Sequence, residues 1–217
     1  MGHAYRIHKQ DAAYFVTFTV VDWIDLFTRP EYKYFLCESL NYCIRKKSLK
    51  IFSYVMMTNH IHLLCRAEEG KLSNIVRDFK KYTTGKLISM ILTGRESRRE
   101  FLLEKFSHHG QQNKLNTKYQ IWQNGSHAEE VFEPKFTLSK IQYIHHNPVE
   151  AGLVTYPHEY RFSSAQDYSG IQGPVDLKFW NFINYFNYLI QTLSTVSINI
   201  LKLPFYFVAK KKEWKKY

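Results

Sequence analysis

The sequence lacks a cysteine framework. Its three cysteines, Cys37, Cys43 and Cys65, form no CxxC pair and leave an odd count, which argues against a disulfide scaffold or thiolate zinc site and fits a reducing compartment. Met1–Asp11 carries His, Tyr, Arg, Lys and Gln where an export signal needs an apolar stretch, so no export signal is expected there and a cytoplasmic protein is expected. Long apolar runs are missing too. The densest one, residues 179–209, is interrupted by Gln191, Ser194, Asn199 and Lys202, which favours a packed helix or strand over a membrane span. Acidic residues are scarce beside basic ones, 19 Asp+Glu against 30 Lys+Arg, for a formal charge of +11. That excess would gather a polyanion around the protein, and nucleic acid is the expected partner.

What is present is ample material for a core, with 45% hydrophobic and 17% aromatic residues in 217. This fits one domain with an appendage, expected as a domain over 1–175 and an extension over 176–217. Ala13–Val21 is β-branched and aromatic and predicts a strand. Pro30 marks a helix start, and apolar positions recur at helical spacing to Lys47, with Arg45, Lys46 and Lys47 at the negative end. Leu49–Met57 and Ile61–Cys65 predict two strands joined at the turn-like Thr58-Asn59. The order is therefore β-α-β-β.

Leu72–Leu92 predicts a second helix, with Leu72, Ile75, Val76, Phe79, Tyr82 and Leu87 on one face. Arg77, Lys80, Lys81 and Lys86 fall largely elsewhere, either tracking phosphates or forming a solvated surface. A third helix is expected over 95–106 and a polar loop over 107–118, with His108 and His109 solvated. Tyr119–Trp122 reads as a short strand. Glu133–His146 reads as a helix that Pro148 ends, since the residue before a proline avoids the helical region.

One stretch carries chemistry. In YVMMTNHIHLL (Tyr54–Leu64) two histidines flank one apolar residue, and residues two apart in a strand share a face, so His60 and His62 project together. With 10 histidines chance alone supplies such a pair roughly half the time, and context decides. Tyr143 and Asn147 stand four apart and share a helical face. Two imidazoles and an oxygen donor suit a divalent metal that retains open positions for phosphate oxygens, as Mg²⁺ or Mn²⁺ does. A free phenol, with a pKa of about 10, is a poor nucleophile at neutral pH, and a metal that polarises a phosphodiester lowers the demand on it.

Three blocks in order, YVMMTNHIHLL, YIHHNPVEAGLV (Tyr143–Val154) and PHEYRFSSAQDY (Pro157–Tyr168), resemble the REP-associated tyrosine transposases of the single-tyrosine HUH superfamily. The resemblance spans residues 13–168. It implies an α+β fold, an antiparallel sheet with flanking helices in a ferredoxin-like or RRM-like arrangement. It also implies His60 and His62 as metal ligands and Tyr143 as the nucleophile. The wider superfamily completes its metal site with a Gln four residues after the tyrosine, where this sequence has Asn147. The implied reaction cuts single-stranded DNA at a hairpin or palindromic element beside a guide tetranucleotide. It leaves a 5′-phosphotyrosine and a free 3′-OH, then passes the strand to another 3′-OH.

Other residues have two open readings. Trp122 either stacks bases, with Lys118 and Tyr119 nearby, or belongs to the core. His127 lies where the family often has a histidine and is a candidate DNA contact, together with Arg77, Lys80 and Lys81. His145 and His146 adjoin Tyr143; His146 either reaches the site at three-residue spacing or is exposed or capping, the expected reading, and Ser163-Ser164 either bond phosphate or form a cap or turn. The five lysines of residues 210–217 are a DNA-binding extension or a solvated terminus. Two other function classes stay open: a catalytically idle single-stranded nucleic-acid-binding protein, and a metal-dependent phosphodiesterase using water. A monomer or homodimer associated with the nucleoid, not with a membrane, is expected.

Overall fold

The computed structural model describes residues 7–69, 71–113 and 118–180. An antiparallel sheet of four strands, β1 (Tyr14–Thr19), β2 (Leu49–Met56), β3 (His60–Ala67) and β4 (His127–Glu130), runs in the order β2-β3-β1-β4. The expected α+β class and the β-α-β-β opening are both found. Helices α1 (Pro30–Lys47) and α2 (Leu72–Thr93) are joined by α3 (Arg99–Gln112), α4 (Pro134–Glu150) and the short α5 (Ala165–Tyr168).

Both faces of the sheet are covered, which is why its strands read as near-continuous apolar runs rather than alternating ones. Phe18 meets Phe79 of α2 and Met56 meets Cys37 of α1 on one face. Ser53 meets His145 of α4 on the other. Ile51, Leu64 and Ile61 are fully enclosed, each contributing about 1.5–3 kcal/mol by its removal from water. Pro30 opens α1 with the φ a helix needs and no lost bond. Ser48 closes it in a left-handed conformation, φ 54°, with its N–H on the Cys43 carbonyl, and β2 begins at the next residue.

Several local expectations are overturned. Helix α3 extends to Gln112 through the stretch expected as a loop. Gly110 allows this, because a Cβ there would stand 2.6 Å from the Lys118 carbonyl oxygen, so chain and helix cross in close contact. His109 is correspondingly not solvated; its Nε2 lies 3.0 Å from the Asp22 carboxylate. Tyr119–Trp122 is not a strand but a single bridge between Trp122 and Val20. Gln120 N–H turns to the Phe106 carbonyl of α3 while the Ile121 carbonyl accepts from Val21 N–H, and the fourth strand is β4. Tyr82 is exposed rather than on the packed face of α2.

Pro148 does not end α4. Proline removes one intrahelical bond, but in the last turn the loss is small. Burial of Ile144 and Pro148 holds the helix to Glu150, and the Ala151 N–H bonds the Asn147 carbonyl at 3.0 Å. After α5 the chain returns to β2, with Lys178 N–H on the Ile51 carbonyl and Trp180 edge-on to Phe52. Most of the expected extension, residues 181–217 with the lysine cluster, lies outside the described residues. Among the described residues no helix is long and apolar enough to cross a membrane.

Candidate active site

Strand register builds the site. Across the sheet Val55, His62, Thr17 and His127 are successive partners, and Thr19 stands opposite His60. Directly paired residues project to one face, so His60, His62, Thr17 and His127 emerge together. The two imidazole centroids are 4.7 Å apart. His62 is 6% exposed, stacked on Phe15 at 5.2 Å, with its Nδ1 2.8 Å from the Thr17 hydroxyl.

The protonation of His60 follows from its neighbours. The Asn59 amide nitrogen donates to the Trp23 carbonyl at 3.2 Å and to an Asp25 carboxylate oxygen at 3.0 Å. Its amide oxygen must therefore face the His60 Nδ1, 2.7 Å away, and that nitrogen is the donor. The lone pair is then left on Nε2, the tautomer a metal ligand requires. Asp25 is itself fixed by the Thr58 hydroxyl at 2.6 Å. Burial pushes His60 below the usual imidazole range against opposing pulls from Asn147 and Asp25. It pushes His62 down to about 3, with smaller downward electrostatic contributions from His60, Lys140 and His127. Both rings are neutral at pH 7, the form that coordinates cations.

Helix α4 covers this face. The Tyr143 ring lies edge-on to His62 at 5.2 Å and to Phe15 at 5.9 Å, and is 44% exposed. Asn147, one turn on, bears on His60, whose pKa its side chain pulls upward. Two pairs of residues, His60 with His62 and Tyr143 with Asn147, distant in sequence, thus meet in one place. Lys140, one turn before Tyr143, sits 4.5 Å over the Phe15 ring and 2.6 Å from the Glu129 carboxylate. The other Glu129 oxygen is 2.6 Å from His127 Nε2, which ties β4 to the same cluster.

The inner side of α4 is fastened separately. His145 is buried, 7% exposed, with Nε2 2.9 Å from the Ser164 hydroxyl and 3.2 Å from that of Ser53. Ser163 and Ser164 are fully enclosed; Ser164 accepts from Tyr54 N–H at 2.9 Å, which joins the Ser-Ser block to the edge of β2 rather than to a phosphate. Burial holds the His145 pKa down to about 3. His146 is exposed.

The remaining candidates divide. Arg77 and Lys81 lie exposed on α2, Arg77 beside Asp78. Lys80 turns inward, its ammonium donating to the Gln123 and Gly125 carbonyls, and burial draws its pKa down to about 8. Trp122 is 4% exposed and donates its indole N–H to Thr83 at 2.9 Å, so it belongs to the core and offers no face for stacking. Sequence reading missed Asp25, Asn59, Trp23, Lys140 and Glu129. Asn59 adjoins the histidine pair and Lys140 precedes Tyr143 by a turn, so spacing was available as a signal for those two; for Asp25 and Glu129 only the fold supplies it.

Among the described residues no three His, Cys, Asp or Glu side chains gather as a ligand group. A cation here would rest on two imidazoles and the Asn147 amide. Neutral rings, with Nδ1 engaged by Asn59 and Thr17, fit that use.

Residues 10–105 match the family of IS200-like transposases. Among solved structures, the chain is similar to a REP-associated tyrosine transposase bound to a REP hairpin, at 17% identity and a TM-score of 0.55, covering 83% of this chain and 96% of that one. No curated protein matches. The family match takes in the first of the three blocks, and the structural likeness shows a fold shared with that transposase.

Proposed function

From an IS200-like transposase sequence over residues 10–105 and an HUH transposase fold, we propose that this chain is a metal-dependent single-stranded DNA endonuclease and strand transferase acting at hairpin or palindromic DNA. The observation that carries the reading is the Tyr143 ring 5.2 Å from His62, which is itself 4.7 Å from His60. The activity is assigned to residues 1–175, with 176–217 as an extension, in a cytoplasmic, nucleoid-associated protein.

Tyr143 attacks the scissile phosphorus through its phenol oxygen. The Tyr–O–P bond forms, the P–O3′ bond breaks, the phenol proton passes to solvent and the departing oxygen takes one up as a free 3′-OH. Half exposure of Tyr143 lets a strand reach it, while the Phe15 and His62 rings fix its approach. His60, His62 and Asn147 would hold Mg²⁺ or Mn²⁺, which when bound neutralises charge on a phosphate oxygen. Lys140 adds a fixed positive charge one helical turn away. The 5′-phosphotyrosine conserves the bond energy for transfer to a second 3′-OH.

Incubation with Mg²⁺ and a labelled single-stranded hairpin oligonucleotide should yield a covalent protein–DNA adduct that Tyr143→Phe eliminates. An adduct surviving that substitution removes Tyr143 from the role. Cleavage without any adduct points instead to water as nucleophile, and binding without cleavage to an idle binding protein. His60→Ala and His62→Ala should abolish cleavage and leave single-strand affinity mostly intact, since basic residues supply most of it.

A further inference from the structure

One aromatic side chain stands beside the site without serving the core. Trp23 is 59% exposed, and its indole lies edge-on to the His60 ring, centroids 5.9 Å apart at 71°. An exposed indole leaves a flat apolar face in water that a stacking partner would cover. The chain nevertheless displays this one deliberately. Asp22 and Trp23 both take left-handed backbone conformations, φ 53° and 54°, which L-residues with a Cβ rarely adopt and which persist only where the surroundings impose them.

The surroundings are specific. Val21 is buried below, its N–H on the Ile121 carbonyl at 2.8 Å, and Trp23 N–H returns to the Val20 carbonyl at 3.1 Å. The Trp23 carbonyl accepts from the same Asn59 amide that orients His60. The Asp22 carboxylate is held by His109 at 3.0 Å and by Lys105 at 4.0 Å. Strain, hydrogen bonds and an ion pair thus hold the ring out over solvent next to His60.

We propose that Trp23 is a stacking platform for an unpaired nucleobase of single-stranded DNA, the base adjacent to the phosphate that Tyr143 attacks. The inference rests on the proposed function and goes further, because it assigns a base-binding residue. An indole face accepts any base, and a single strand exposes both faces of its bases where a duplex hides them. The protein's charge of +11 brings the strand in, and the position beside His60 places the ring at the cleavage point. This role falls to Trp23, since Trp122, the tryptophan the sequence offered for stacking, is enclosed.

The test uses the full-length chain carrying Tyr143→Phe, which binds without cutting, and a hairpin oligonucleotide with a single-stranded flank scanned by abasic substitutions. At one flank position, loss of the base should weaken binding roughly tenfold with Trp23 present. Trp23→Ala should weaken binding of the intact strand by the same factor, and the abasic strand should then bind this variant no worse than the intact one. Trp23→Phe should retain most of the affinity and the abasic penalty. Equal affinity of Trp23→Ala and its parent, or an abasic penalty unchanged by Trp23→Ala, overturns the proposal. If Trp23→Ala fails to fold, the scan with the parent and Trp23→Phe decides: no sensitive position means no platform. A parent that binds the strand while wild type forms no adduct refutes the chemistry alone. A parent that binds no single strand refutes both.

Discussion

Lowering the pH should unfold this protein partly through His145, and the effect can be worked out from its surroundings. The ring is buried against Ser53 and Ser164, with its pKa pushed from 6.5 down to about 3. Between those values the unfolded chain takes up a proton that the folded chain refuses. The unfolded state then binds more protons, so stability falls as pH falls through this window and is fully retained above 6.5. From pH 7 to 5 the loss from this one group is about 2 kcal/mol, a large part of a typical folding free energy. His145→Leu abolishes the dependence at modest cost, because Ser53 and Ser164 remain bonded to each other at 2.9 Å and Ser164 to Tyr54 N–H. We expect the variant to be about 1 kcal/mol less stable at pH 7 and more stable than wild type at pH 5. Urea titrations followed by circular dichroism at pH 7, 6 and 5, with EDTA to exclude cations, measure the difference directly; carboxylates common to both proteins cancel. A stability difference that is the same at all three pH values would refute the reasoning, since His145 would then not be held neutral in the fold.

Asn59→Ala removes the acceptor that sets the His60 tautomer, and adduct formation should slow roughly 10- to 100-fold while hairpin affinity changes less than about twofold; a wild-type rate in a single-turnover assay contradicts the positioning role. Trp122→Phe loses the indole bond to Thr83 and part of the packing on Phe18 and Phe27. It should lower stability by roughly 2 kcal/mol in denaturant unfolding with hairpin binding unaltered, and weakened binding at unchanged stability would return Trp122 to the DNA interface. If the outer face of α2 tracks phosphates, Arg77→Ala and Lys81→Ala should each reduce the slope of log affinity against log salt by about 1, whereas Lys80→Met should leave it unchanged. A reduced slope in Lys80→Met would show that the inward ammonium swings out to DNA.

The order β-α-β-β was legible because its strands are dense in β-branched and aromatic residues and because Pro30 and the Arg45-Lys46-Lys47 end bracket one helix clearly. His60 and His62 were legible by period, and Tyr143 with Asn147 by spacing plus resemblance. What escaped was set by contacts distant in sequence. His145 looks exposed beside His146, and only the return of Ser164 to β2 encloses it. Lys80 looks basic and external until the carbonyls of Gln123 and Gly125 arrive from across the chain. The same is true of α3, whose polar sequence reads as a loop until Gly110 is seen to admit the crossing chain. Local pattern reports which face is apolar; it does not report which polar side chains a later segment will bury.

The two sides of α4 explain why the proposed nucleophile can be exposed and still held in place. A half-exposed tyrosine on a loosely docked helix would wander, and catalytic groups lose much of their effect when displaced by about 1 Å. Here Ile141, Ile144, His145 and Pro148 are buried on one side of the helix, with the His145–Ser164 bond fixing its rotation against β2. Rotation about the helix axis is the motion that would carry Tyr143 away from His62. On the other side Phe15 stacks flat on His62, 23° between planes, and meets Tyr143 edge-on at 77°. One β1 side chain therefore touches both the histidine and the phenol, while the row Val55, His62, Thr17 and His127 fixes the histidine from below. Sheet and helix each present a rigid half of the candidate site, with Trp23 at its His60 end.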